Sequence, residues 1–182
     1  MRELSLNILD IITNSIEAEA NRVILHIDED KVENRLTFRI RDNGRGMSQE
    51  FVRQVMDPFV TSRTTRPVGM GLSLLHQLAR QARGDLDIRS ELGQGTEVST
   101  YLRLHCLNRP PLGDVGGTIV NLVISNLDVH FMYIHTTDYG RLWFDSYWIL
   151  ARAAEQDKTL YDMIHPSLEH IKSRLKDINS KA

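Results

Sequence analysis

The chain of 182 residues has a single cysteine, Cys106. One thiol excludes an internal disulfide framework and a cysteine-based metal cluster, and it fits a reducing compartment. No apolar stretch approaches the roughly 18 residues that a membrane-spanning helix needs. The start, Met1-Arg2-Glu3-Leu4, lacks the basic, then apolar, then small order of a signal peptide, so a cytoplasmic protein is expected. An excess of one charge sign is missing too. With 22 basic against 24 acidic residues the net charge is -2, which excludes the broad basic surface used to grip nucleic acid. There are no repeats and no low-complexity tracts. What remains is 41% hydrophobic and 25% charged, the balance of a soluble globular protein of one domain, or one domain with an appendage.

Apolar spacing predicts a helix over 3–20, where Leu4, Ile8, Ile11, Ile12 and Ile16 share a face. Two alternating runs, Val23-Leu25-Ile27 and Leu36-Phe38-Ile40, predict a hairpin across the polar stretch 28–34. Ser48 is the expected N-cap of a short helix ending before Asp57-Pro58. Residues 60–68 read as loop. A second long helix is expected from Gly71 with Gly84 as its stop, followed by a second hairpin closed at Gly93-Gln94-Gly95. Asn108 to Gly113, with two adjacent prolines, marks a boundary. Beyond it a helix around 115–123, strands at 129–136 and 141–145, and terminal helices near 146–155 and 166–178 are expected, the last starting at Pro166. The expected division is 1–107, a linker at 108–113, and a small α/β unit over 114–182.

Four places carry candidate chemistry. On the first helix Asn7, Asp10 and Asn14 lie three and four residues apart, so one face offers hard oxygen ligands of the kind a phosphate-bridging metal takes. The same pattern is also the ordinary wet side of an amphipathic helix. After the second strand comes Asp42-Asn43-Gly44-Arg45-Gly46-Met47. Asn-Gly is a common turn pair, but period two puts Asp42 on the apolar side with Phe38 and Ile40. A carboxylate there needs a donor, and the amino group of adenine is one. Glycines 44 and 46 allow close backbone approach to a ligand. Gly69-Met70-Gly71-Leu72 sits where a loop enters a helix, and such N–H groups attract phosphate. The loop before it supplies Thr61, Ser62 and Arg63, donors able to close over a triphosphate. Thr96, after Gly93-Gln94-Gly95, is placed to hydrogen-bond a base directly or through water.

In this order the four elements resemble the ATP-binding domain shared by gyrase, Hsp90-type chaperones, histidine kinases and mismatch-repair ATPases. The match runs from Leu4 to Leu104. Leu9 to Ala18 resembles the asparagine box, Asp42 to Met47 the first glycine box, Asp57-Pro58-Phe59 the phenylalanine box, and Gly69 to Leu72 the second glycine box. The resemblance implies an α+β fold, a two-layer sandwich of a mixed sheet against helices. It implies ATP and Mg2+ as ligands, with Asn14 on the metal and Asp42 reading adenine. Four positions before Asn14 the ATPase branches carry a glutamate base and histidine kinases an asparagine. Asp10 stands there, the candidate base. Glu17 leans toward the ATPases. The short lid at 60–68, and the lack of room for a transducer domain, lean toward the kinases.

The expected function is a Mg-ATP-binding signalling protein of the histidine-kinase type acting on a partner protein in trans. The alternative is an ATP/ADP-dependent binding switch or slow ATPase. None of the seven histidines, at 26, 76, 105, 130, 135, 165 and 170, is followed by Asp or Glu as a helical phosphoacceptor would be. Phe131, Tyr133, Trp143, Phe144, Tyr147 and Trp148 crowd the tail. Core filling is their plainer role. A partner-binding or homodimer surface is the functional one.

Overall fold

The structure is a computed structural model, and it describes residues 3–56, 70–148, 151, 160–178 and 180. Helix α1 (Leu4–Glu17) leads into the hairpin β1 (Arg22–Asp30) and β2 (Arg35–Asp42), then α2 (Gln49–Met56). Helix α3 (Met70–Gln81) precedes the hairpin β3 (Asp85–Glu91) and β4 (Gly95–Arg103). Then come α4 (Val115–Ser125), the hairpin β5 (His130–Thr137) and β6 (Gly140–Asp145), and α5 (Leu160–Asp177). The strands form one mixed sheet of six in the order β3-β4-β2-β1-β5-β6. Only β1 and β5 pair in parallel among these neighbours.

Alternation decides which face is covered. Leu25, Ile27, Phe38, Ile40, Val98, Leu102, Phe131 and Tyr133 are buried beneath the helices, whose own stripes (Leu4, Ile8, Ile12; Leu75, Ala79; Ile119, Val123) complete the core. The opposite face carries Arg39, Arg41, Arg89 and Trp143 in exposed positions. The arrangement is the α+β, two-layer architecture expected of the sequence.

Strands β5 and β6 continue the sheet instead of forming one of their own, and the residues of α4, β5, β6 and α5 share a hydrophobic cluster with α1 and β1. The segment 108–113 is itself docked. Leu4 N donates to Pro111 O (3.0 Å) and Ser5 N to Leu112 O (2.9 Å), which supplies acceptors for two of the free amides at the start of α1. Buried Glu29 of β1 accepts from His135 Nε2 of β5 at 2.8 Å, while His135 Nδ1 accepts from Tyr133 Oη at 2.6 Å. Burial pushes the Tyr133 hydroxyl well above its ordinary range, so it stays a donor.

Two local expectations change. The left-handed residue ending α3 is Arg83 (φ 57°), with Gly84 N closing onto Ala79 O at 2.7 Å. Gly84 is required for space, because a Cβ there would lie 1.7 Å from Tyr101 O. Pro166 lies inside α5, which starts at Leu160; burial of Ile171 and Leu175 holds a helix that runs through it. The helix expected at 146–155 begins at Ser146, and most of the rest lies outside the described residues. The tail aromatics divide: Phe131, Tyr133 and Phe144 fill the core, while Trp143, Tyr147 and Trp148 are exposed.

Candidate functional site

The residues of interest gather where β2 ends. Asp42 is the last residue of that strand, on the covered face as its period predicts, and it is 8% exposed. Its carboxylate is held by three donors. Oδ1 accepts from Gly44 N (2.9 Å) and Thr96 N (3.2 Å), and Oδ2 accepts from Ser15 Oγ (2.8 Å). A carboxylate has about four lone-pair directions, so one, on Oδ2, is left for a ligand.

Each donor is there for a local reason. Ser15 follows Ile8 and Ile11 on the buried stripe of α1, so a small hydroxyl replaces an apolar side chain where the helix crosses Asp42. Gly44 and Gly46 let the turn after β2 wedge between α1 and the β3–β4 hairpin. Arg45 N donates to Ala18 O (2.9 Å) and Gly93 N to Arg45 O (2.8 Å). A Cβ on Gly46 (φ +67°) would lie 1.9 Å from Glu91 O, and one on Gly44 2.6 Å from Ala18 O. The close approach these glycines permit is to the protein's own backbone. Asn43 is also structural: Oδ1 accepts from Asn21 N and Arg22 N, and Nδ2 donates to Asn21 Oδ1 at 2.7 Å.

Ser90 organises the other wall. It donates to Gly95 O (3.0 Å) and accepts from Met47 N (2.8 Å), and its oxygen lies 2.8 Å from Thr96 Oγ1. With the Ser90 proton on Gly95, Thr96 is the donor between the two hydroxyls, so Thr96 Oγ1 turns only lone pairs outward. Gln49 Nε2 donates to Ser90 O (2.8 Å) and ties α2 to this wall.

The polar side of α1 forms the neighbouring surface, with Asp10 exposed and Asn14 half-buried. Helix α3 begins beside it: a Cβ on Gly71 would sit 3.6 Å from Asp10 Cβ. Met70 opens α3 and Leu72 packs into the core. The described start of α3 and the exposed carboxylate of Asp10 are therefore neighbours, a pairing that an anion accompanied by a cation could use. Asn7 Oδ1, on the same helix face, is buried without a hydrogen-bond partner among the described residues. Thr61, Ser62, Arg63 and Gly69, with the phenylalanine-box residues, lie outside the described residues.

Among the described residues no cluster of three or more His, Cys, Asp or Glu could cage a metal ion. The oxygens of Asn14 and Asp10 fit the other mode, in which one or two protein oxygens share the ion with nucleotide phosphates.

The model of the family of histidine kinase-, DNA gyrase B-, and HSP90-like ATPases matches residues 2–105. The chain belongs to this family. All of the site residues just described fall inside the match. The tetrathionate sensor histidine kinase TtrS of Salmonella typhimurium is 31% identical over 99 residues, 54% of this chain and 16% of that protein. Sporulation kinase C of Bacillus subtilis is 30% identical over 96 residues, 53% of this chain and 22% of that protein. The chain therefore spans about a fifth of the length of such relatives. A solved structure of the N-terminal domain of a DNA repair protein superposes with a TM-score of 0.52 at 15% identity, covering 79% of this chain and 52% of that one. That likeness is one of fold, and its coverage extends past residue 105, into the segment that continues the sheet. Among the described residues no helix is long and apolar enough to cross a membrane.

Sequence reasoning missed Ser15 and Ser90. Both had a signal, a small hydroxyl residue on an otherwise apolar stripe: Ser15 after Ile8 and Ile11, Ser90 after Leu86 and Ile88.

Proposed function

We propose that this chain binds ATP between α1 and the end of β2 and serves as a histidine-kinase-like signalling protein that phosphorylates a partner protein in trans. The observation that carries the reading is the Asp42 carboxylate, nearly buried and fixed by Ser15, Gly44 and Thr96, with one lone pair unspent. Adenine offers an amino group to that lone pair and a ring nitrogen to a neighbouring donor or water. Guanine would turn a carbonyl oxygen toward the same carboxylate. Burial makes such a mismatch costly, which gives the pocket its base preference.

The phosphates extend toward the start of α3, whose free amides favour negative charge; Thr61, Ser62 and Arg63, the further phosphate donors of the sequence, lie outside the described residues. Asn14, with Asp10 beside it, would hold Mg2+, which when bound neutralises phosphate charge during transfer. Asp10 then has two roles open to it, orienting the ion's water shell or accepting a proton from an attacking nucleophile.

Transfer to a partner is favoured over self-phosphorylation because no histidine is followed by Asp or Glu, the exposed His105, His165 and His170 included. His76 Nε2 is bound to Asp85 Oδ1 at 3.1 Å, His130 Nε2 to Asp145 Oδ1 at 2.7 Å, and His135 is fully buried. Incubating the chain with γ-labelled ATP should leave it unlabelled, while a partner captured from source lysate in the presence of ATP should acquire acid-labile phosphate. The switch reading takes over if that partner binds differently with ATP and ADP but is never labelled.

A further inference from the structure

We propose that the cavity where β4 ends is a second anion site, separate from the nucleotide site, for a phosphate group carried by a small molecule or a side chain.

The cavity has a volume of about 330 Å3, at the low end of the range of small-ligand sites. Arg83, Arg103 and His105 line it, together with the amides of Asn34 and Asn108 and the thiol of Cys106. No carboxylate lines it among the described residues. The charges of α3 nearby are spent: His76 Nε2 and Arg80 Nη1 both bind the Asp85 carboxylate, at 3.1 and 3.3 Å. Arg83 has no carboxylate within 4 Å among the described residues. Neither has Arg103, whose guanidinium donates to a backbone carbonyl, Glu33 O, at 2.9 Å.

The sheet adds a further unbalanced charge. Register sets Arg35 of β2 directly opposite Arg103 of β4. Like charges that face each other across two strands repel. The Arg35 guanidinium lies 4.2 Å from the centroid of the Tyr101 ring and has no acid to pair with either. An anion held by Arg83 and Arg103 relieves that repulsion.

Donor chemistry favours phosphate. Guanidinium forks match its oxygens with two parallel hydrogen bonds. Asn34 Oδ1 accepts from His105 N at 2.8 Å, which leaves Asn34 Nδ2 as one more donor. The carbonyls that end α3 would repel an anion, but each is engaged. Leu78 O accepts from Ala82 N, Ala79 O from Gly84 N, Arg80 O from Arg83 N, and Gln81 O from Asn108 Nδ2 at 3.5 Å.

This place is remote from the base-reading carboxylate. Arg35 and Asp42 are the two ends of the eight-residue strand β2, about 23 Å apart. Arg83 follows the C-terminal end of α3, whereas the phosphates of ATP are proposed at its start.

Cys106, the one cysteine of the chain, is a reporter already in the cavity wall. The test follows its reaction, in the full chain, with the dianionic disulfide dithionitrobenzoate and with uncharged dithiodipyridine. Inorganic phosphate should slow both saturably, with half-protection at about 1 mM, where chloride of equal ionic strength does not. Arg103→Gln should weaken that protection about tenfold and reduce the advantage of the dianionic reagent. Arg83→Asn, whose side chain tolerates the left-handed backbone there (φ 57°), should do the same. Glycerol phosphate and a phosphoserine peptide distinguish the two carriers, and tighter protection by either upholds the site. Phosphate that protects no better than chloride overturns the proposal, as does protection that survives both substitutions unchanged. If circular dichroism shows that Arg103→Gln fails to fold, Arg83→Asn decides: weakened protection upholds the proposal and unchanged protection overturns it.

Discussion

Replacing Asp42 with asparagine separates reading of the base from support of the fold. The amide is nearly the shape of the carboxylate. Its oxygen can take the place of Oδ1 and keep the N–H groups of Gly44 and Thr96, and its nitrogen can take the place of Oδ2 and donate to Ser15 Oγ, which rotates to accept. Stability should therefore change by no more than about 1 kcal/mol, a Tm shift of up to about 4 °C. Binding should change far more. The lone pair facing the adenine amino group becomes an N–H, so donor meets donor, and a hydrogen bond to a charged acceptor is lost. That loss costs about 2–3 kcal/mol, a rise in Kd of roughly 30- to 150-fold. Titration calorimetry with Mg-ATP measures it directly, and the preference for ATP over GTP should narrow in the same variant. Asp42→Ala is the poorer probe. It strands two donors, the N–H groups of Gly44 and Thr96, at a nearly buried site, each costing about 1–3 kcal/mol, while Ser15 Oγ keeps Ile11 O at 3.3 Å, and it would confuse unfolding with lost affinity. Should Asp42→Asn bind ATP within about threefold of wild type while remaining folded, the carboxylate is not what recognises the base.

Three further outcomes are expected. Asp10→Asn should slow whatever ATP turnover the wild type shows by about 100-fold or more, with Kd for Mg-ATP nearly unchanged, and an unaltered rate removes Asp10 from proton transfer. Burial alone would raise the Asp85 carboxyl, but the Leu86 amide, His76 and Arg80 outweigh it and hold the group below its ordinary value of 3.8. A depressed carboxyl stabilises the fold above that value and loses its contribution as pH falls through the folded value; thermal melts of wild type and Asp85→Asn should therefore differ at neutral pH and converge below pH 3.8. Gly84→Ala should destabilise by about 3 kcal/mol, since its Cβ would strike Tyr101 O, whereas Gly93→Ala, with nothing within 4 Å of the new carbon, should cost about 1–2 kcal/mol for its φ of +77°; denaturant titration ranks the two.

Much of the fold was legible because it is local. The stripe of α1, the two N-terminal hairpins and the cap at Ser48 each follow from spacing within a dozen residues, and Ser48 Oγ does accept from Phe51 N at 3.2 Å. Period two also put Asp42 on the covered side. The parallel pairing of β1 with β5 was not legible. It joins Arg22 to His130 and Glu29 to Thr137 across more than a hundred residues, and no short-range pattern encodes such a partner. For the same reason no pattern in the segment after 113 shows that its strands join the sheet begun near the N-terminus. Gly44 and Gly46 also admit the backbones of Ala18 and Glu91, close neighbours that only the assembled turn reveals. Ser15 and Ser90 were passed over because a serine on an apolar stripe has no meaning until the carboxylate or carbonyl opposite it is known.

The way α1 is built constrains the site more than any single contact. Asn14 and Ser15 are consecutive, so the helix turns them about 100° apart, one toward solvent and one into the core. Ser15 is fixed on Asp42, at the place where the base would lie. Asn14, one residue earlier, is half-buried and lies one turn along α1 from Asp10, the residue that neighbours Gly71 of α3. On the proposed reading the separation between the two ends of a nucleotide would be built into the pitch of one helix. That helix is held at its other end by the carbonyls of Pro111 and Leu112, which accept from Leu4 N and Ser5 N. A shift of α1 would then move Asn14 and Ser15 together, and with them both the proposed cation site and the hydroxyl that holds Asp42. The segment that follows the matched residues is attached directly to that helix.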